Sequence, residues 1–121
     1  MRVANPIAQK GENIAVAHLQ KNGYSIIERN FRKGYGEIDI VALEKDTLVF
    51  IEVKTRTSTQ FGSPLEAITP WKLRTLIKTA QFYKLTHSKL PESLRIDAVS
   101  VVLTSFGDIN AIEIVKNISG W

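Results

Sequence analysis

Residues 36–56 read Gly36-Glu37-Ile38-Asp39-Ile40-Val41-Ala42-Leu43-Glu44-Lys45-Asp46-Thr47-Leu48-Val49-Phe50-Ile51-Glu52-Val53-Lys54-Thr55-Arg56. Two runs rich in Ile, Val, Leu and Phe, Glu37 to Glu44 and Thr47 to Arg56, flank Lys45-Asp46, the pattern of an antiparallel hairpin. With Lys45-Asp46 as a two-residue turn, Glu44 pairs with Thr47. Counting outward then puts Asp39 opposite Glu52 and Glu37 opposite Lys54, at cross-strand distances where like charges destabilise. Strand alternation gathers Glu37, Asp39 and Val41 on one face of their strand, and Phe50, Glu52, Lys54 and Arg56 on one face of theirs. Glu52 and Lys54 interrupt an apolar strand where packing calls for Val or Ile, and such violations gather at functional sites.

Working outward, Asn5-Pro6 reads as a helix N-cap with Pro at the first helical position, and Gly23 as the residue past the helix end. Ala8, Ala15 and Leu19 share one stripe of that helix, and Glu12 falls inside it. An inward carboxylate is costly unless a cation meets it. Tyr24 to Arg32 reads as a strand, closed by Lys33-Gly34-Tyr35-Gly36 turn chemistry. Beyond the hairpin, Ser63-Pro64-Leu65-Glu66 matches a capping box opening a helical turn. Thr69-Pro70 starts a longer helix whose apolar face carries Leu73, Leu76, Ile77 and Ala80. Strands from Leu94 to Leu103 and Ile109 to Lys116 follow, joined by Ser105-Phe106-Gly107-Asp108. The order α-β-β-β-α-β-β predicts an α/β fold, a single mixed sheet flanked by helices, with residues 1–121 forming one domain.

The 121 residues hold 16 Lys plus Arg, 12 Asp plus Glu, two His and no Cys. No apolar run reaches the ~18–20 residues of a membrane span, and the first residues lack a signal-peptide pattern. A soluble, cytoplasmic protein is therefore expected. Without cysteine, disulfides, thiol catalysis and Cys-based zinc sites are excluded, and His18 and His87 lie too far apart in sequence to suggest a His-rich metal site. Residues 96–121 contain one base against three acids, and the first 95 contain 15 bases against 9 acids, so the positive charge is concentrated N-terminally. Such a surface suits a polyanion such as nucleic acid, although a solvated helix face has the same composition.

Two carboxylates within a few ångströms suit a hard divalent cation such as Mg²⁺. Lys54 beside them would hold a phosphate oxygen or a water. Cation, lysine and basic surface together point to phosphodiester hydrolysis, with Glu12 ligating the ion through water or holding a second one. The competing reading makes Glu37, Glu52 and Lys54 exposed cross-strand ion pairs and Asp39 a surface acid. Asp97 either sits near the cluster or has an edge-strand or salt-bridge role.

Gly36-Glu37-Ile38-Asp39, followed 13 residues after Asp39 by Glu52-Val53-Lys54, resembles the PD-(D/E)XK motif of the restriction-endonuclease-like superfamily. With Gly11-Glu12, Phe50 to Arg56 and Phe61-Gly62-Ser63-Pro64-Leu65-Glu66-Ala67, the chain is similar to the small bacterial YraN-like proteins, themselves distantly similar to archaeal Holliday junction resolvases. The resemblance spans roughly residues 8–100 and implies an α-β-β-β-α-β core plus a C-terminal strand. It implies Asp39 and Glu52 as ligands of Mg²⁺ or Mn²⁺, Lys54 as the catalytic lysine, and Glu12 as a helix-borne acid at the same metal site. Ile38 stands where the motif's name has Pro. The activity implied is metal-dependent endonucleolytic cleavage of DNA, with branched or damaged DNA in repair or recombination as its setting, and a homodimer is compatible with it. A module that binds nucleic acid without cleaving it would keep the same fold.

Arg56 continues the Glu52 and Lys54 face and is a candidate phosphate contact. Lys72, Arg74 and Lys78, with Gln81, are read on exposed parts of the second helix as nucleic-acid-binding candidates. Gln60 is a candidate polar helper, and Glu66 is read as the partner of Ser63. Trp71, Phe82 and Tyr83 are expected in the core or at a dimer contact, with Tyr35 and Phe61 as the better stacking candidates. His18 and His87 are expected at the surface.

Overall fold

The computed structural model describes residues 5–34, 36–57 and 62–120. Helix α1 (Pro6–Lys21) starts where the Asn5 side chain accepts from the Ile7 and Ala8 amides, and gives way to Gly23 at φ 90°. Strands β1 (Ser25–Lys33), β2 (Gly36–Glu44) and β3 (Thr47–Arg56) follow, then a 3-10 turn (Pro64–Ala67). Helix α2 (Pro70–Thr86), capped by the Thr69 hydroxyl, leads to β4 (Ser93–Leu103) and β5 (Ile109–Val115). The sheet order is β1-β2-β3-β4-β5. β3 and β4 pair in parallel and the other neighbours antiparallel. A parallel pair needs a crossover, which the α2 segment supplies. The fold is α/β, a mixed sheet with one helix on each face, in the expected element order.

Alternating residues of β3 feed the two sides of the core. Val49 and Ile51 pack with Ala15 and Leu19 of α1, together with Ile40, Ala42, Val99 and Val101. Leu48 and Phe50 pack with Leu76, Ala80 and Tyr83 of α2, together with Ile38, Val41 and Ile96. Each Val, Leu, Ile or Phe among them contributes about 1.5–3 kcal/mol when withdrawn from water. The inward stripe of α1 holds Gly11, Glu12, Ala15 and Leu19, while Ala8 is exposed. Gly11 takes the close position because a Cβ there would meet the Thr55 hydroxyl at 1.9 Å.

The hairpin register is as expected from Glu44↔Thr47 to Ile40↔Ile51, with Lys45 at φ 53° in the turn. There the described ladder stops, so Asp39 and Glu52 are not paired across it, nor are Glu37 and Lys54. Alternation also fails at this point. Ile38 packs on the α2 side and Ile40 on the α1 side, although a regular strand would put both on one side. The strand therefore bends at Asp39.

Other expectations hold in part. Ser63 does cap the Leu65 amide and open a helical turn, of 3-10 type, with the Glu66 carboxylate lying against Gly62. Tyr83 is core as expected and donates to Glu28, whereas Trp71 is 64% exposed and Phe82 half-buried. His87 is not a free surface residue: its ring stacks on Tyr83 at 3.8 Å and it terminates α2. Tyr35, Gln60 and Phe61 lie outside the described residues.

Candidate functional site

The bend at Asp39 is matched on the neighbouring strand. Asn30 lies between Arg29, the partner of Ile40, and Phe31, the partner of Ile38, and has φ 58°. Asn tolerates this left-handed conformation better than most residues because its short polar side chain bonds locally. Its amide donates to Glu12 Oε1 at 3.1 Å, and Arg29 Nε reaches the same oxygen at 3.0 Å. The inward carboxylate of α1, 8% exposed, thus has the cation its burial requires. Neither Arg29 nor Asn30 is apparent as a site residue in the sequence, although three polar residues in a row, Glu28-Arg29-Asn30, in a strand mark the spot.

Leaving the ladder, Asp39 turns its carboxylate into the plane of the sheet, where Oδ2 accepts the Val53 amide at 2.8 Å. The two side chains flanking Val53 are Glu52 and Lys54. Lys54 Nζ stands 3.4 Å from Glu52 Oε1. Lys72, expected on an exposed helix face, is half-buried and stands 3.8 Å from the same oxygen. A lysine in the first turn of a helix opposes the helix dipole, and α2 has no acid there to offset it. This misplaced cation was the available signal that Lys72 belongs to the carboxylate cluster. Glu52 is 4% exposed, and its Oε2 has no hydrogen-bond partner among the described residues.

Burial, and then the charge of Glu52, push the Asp39 carboxyl up to about 7 against the pull of the Val53 amide, with Glu12 and Glu37 adding to the rise. Burial raises Glu52 as well, with Lys72 and Lys54 opposing and Glu37 adding. The pair carries more negative charge than its surroundings comfortably hold.

A cavity of about 210 Å³ opens between α1 and the end of β3, lined by Glu12, Asp39, Lys54, Thr55, Arg56 and Ile7 among others. Glu52 lies toward α2 and is joined to the cavity through Lys54. Asp39 and Lys54 therefore share this cavity with Glu12 and Arg56 by way of the bend, whereas Glu52 lies outside its lining. Arg74 and Lys78 are exposed on α2, away from this cavity.

The donor set fits a hard divalent cation. All the oxygens are carboxylate, one buried oxygen lacks a donor among the described residues, and a neighbouring carboxyl is raised by burial and then by the charge of Glu52. Among the described residues no group of three or more acidic or His side chains is arranged to hold a metal. Two carboxylates completed by water and phosphate are the usual protein share of a Mg²⁺ site.

Asp97 has the salt-bridge role foreseen for it, on an interior strand and not at an edge. Fully buried, it accepts from Tyr24 at 2.7 Å, Arg95 Nε at 2.8 Å and the Asn117 amide at 2.9 Å. Arg95 continues to Glu44 at 2.6 Å. No helix among the described residues is long and apolar enough to cross a membrane.

Residues 11–101 match the family model described as "Uncharacterised protein family UPF0102". A UPF0102 protein of Clostridium botulinum strain Hall is 46% identical over 114 residues, covering 92% of this chain and 91% of its own. Others from Syntrophomonas wolfei (46% over 93 residues; 77% and 81% covered) and Persephonella marina (46% over 94 residues; 78% and 81%) are equally similar. With the family model spanning most of its length and relatives this similar along nearly all of it, the chain belongs to the UPF0102 family.

Proposed function

We propose that this protein is a metal-dependent endonuclease-like member of the restriction-endonuclease-like superfamily that hydrolyses phosphodiester bonds in DNA, with branched or damaged DNA as its setting. The observation that carries this reading is the buried Glu52 carboxylate, whose Oε1 faces Lys54 and Lys72 while its Oε2 has no donor among the described residues, coupled to the raised carboxyl of Asp39. A purely structural cluster would have its oxygens satisfied, since an unpaired buried acceptor costs roughly 1–3 kcal/mol. Mg²⁺ or Mn²⁺ held by Asp39 and Glu52, with Glu12 on the cavity wall, would supply Lewis-acid polarisation of the phosphate and a more acidic attacking water.

The chain's own groups divide the remaining work. Asp39 would hold the cation as the deprotonated carboxylate. Lys54 exchanges Glu52 for a phosphate oxygen, or orients the attacking water. Lys72 neutralises Glu52 before substrate arrives and then offsets phosphate charge. Arg56 reaches phosphate beside the cavity, and Arg74 and Lys78 extend the basic face along α2.

A second reading, a nucleic-acid-binding module without turnover, draws on the two lysines already held by Glu52 and the Arg29 held by Glu12. Incubation with branched, nicked, single-stranded and duplex DNA in Mg²⁺, Mn²⁺ or EDTA separates the two. Cleavage that requires the cation and is abolished by Glu52→Ala and by Lys54→Ala, with binding retained, is the expected result. Salt-sensitive binding without cleavage in any metal would leave the binding module.

A further inference from the structure

Across Lys72 from the carboxylates lies a second groove, of about 360 Å³, whose walls include Trp71, Thr75, Lys78, Phe82 and Lys33. Its size falls within the range of small-molecule sites. Gly36 and Thr79 close its floor: a Cβ on Gly36 would meet the Thr79 hydroxyl at 1.8 Å, so glycine is what lets α2 approach here. The Trp71 indole stands mostly in solvent, and Lys33 Nζ lies 5.0 Å from the centre of the Phe82 ring. The described walls carry two cations and no acid.

Aromatic faces framed by cations suit one kind of occupant particularly well. A nucleobase presents a planar π-face to an indole, and its own phosphates meet the ammonium groups. Bases inside a duplex are stacked on each other and offer no free face, so the occupant is unpaired. An apolar protein anchor in the same groove would bury Lys33 and Lys78 without counter-charges, which is costly. The groove also adjoins the carboxylates directly, because Lys72 follows Trp71 and reaches Glu52. We infer that the Trp71–Phe82 groove receives an unpaired nucleobase next to the phosphate held at the carboxylates, which makes DNA with unpaired bases the preferred substrate class. This rests on the nuclease reading for the role of the neighbouring site, and on the groove alone for the binding of the base.

The test uses the full chain with Trp121→Phe, leaving Trp71 as the sole tryptophan, in EDTA so that nothing is cleaved. Oligo(dT) and a blunt duplex of equal length are titrated, following Trp71 emission and, in parallel, the anisotropy of labelled DNA. Expected are quenching by oligo(dT) well beyond that by duplex, and a loss of about tenfold in oligo(dT) affinity in Trp71→Ala, larger than its loss for duplex and mostly restored by Trp71→Phe. Oligo(dT) binding seen by anisotropy without quenching, and unchanged in Trp71→Ala, would overturn the inference. So would emission that changes with protein concentration alone, in step with dimer formation by sedimentation, since the groove would then be covered by a second copy. The nuclease reading fails separately: quenching without cleavage in any metal removes the enzyme and keeps the groove, whereas metal-dependent cleavage without quenching does the reverse.

Discussion

The Asp39 carboxylate accepts the Val53 amide at 2.8 Å, at the point where the β2–β3 ladder has just ended. A side-chain oxygen there takes the place of a strand carbonyl, and the same move brings Asp39 to Glu52 and Lys54. Site and sheet are thus coupled through one hydrogen bond.

Stability in the absence of divalent cations should depend on pH through Asp39. Its carboxyl is raised in the fold to about 7. Between the ordinary carboxylate range and that value, the native state keeps a proton that the unfolded chain has shed. Each rise in pH across this window therefore favours unfolding, and the loss is complete above it. Asp39→Asn keeps an acceptor for Val53 and removes the charge. Its stability relative to the parent should grow from about pH 5 to about pH 8, by on the order of 2 kcal/mol, measured by urea unfolding in EDTA. A difference independent of pH would refute the assignment.

Millimolar Mg²⁺ or Mn²⁺ should reverse that penalty. An ion that binds only the folded chain stabilises it by about 2.7 kcal/mol at a hundredfold excess over its dissociation constant. Thermal unfolding near neutral pH should shift upward by several degrees, and neither Asp39→Asn nor Glu52→Gln should respond. Equal shifts in parent and variants would place the ion elsewhere.

The hairpin, both helices and the position of Asp39, Glu52 and Lys54 on adjacent strands were legible because period-two and helical apolar spacing survive around them. The bend was not. Alternation assumes a regular strand, and nothing in Ile38-Asp39-Ile40 announces that the two isoleucines face opposite sides of the sheet. Lys72 was misassigned because a lysine near a helix start looks solvated until the carboxylate it meets is placed by long-range folding. Trp71 is the opposite case: bulk and apolarity suggest the core or a dimer contact, and the first turn of α2 leaves it out of the core.

Asp97 anchors the end of the sheet remote from the cavity. Replacing it with Ala leaves Arg95, the Tyr24 hydroxyl and the Asn117 amide without their shared acceptor. Removing one partner of a buried ion pair costs about 3–5 kcal/mol, so Asp97→Ala should lower stability in urea by that order. Asp97→Asn, which keeps an acceptor but not the charge, should lose less. If Asp97→Ala unfolds like the parent, the network is not holding β4 in place.

Asn30 tests whether the bend or the contact with Glu12 matters more. At φ 58° an alanine pays roughly 1–2 kcal/mol that glycine avoids, while both replacements remove the donor to Glu12 Oε1. Asn30→Ala should therefore unfold at lower urea than Asn30→Gly, by about 1 kcal/mol once glycine's own entropy cost is set against it. Among the described residues Glu12 then keeps Arg29 as its partner, and its wall of the cavity loosens in both variants. If the contact holds the cavity in shape, stabilisation by Mn²⁺ falls to a similar extent in Ala and Gly, whatever their stabilities. Should Asn30→Gly respond to Mn²⁺ like the parent while Asn30→Ala does not, the backbone turn is the part that counts, and the bond to Glu12 is incidental.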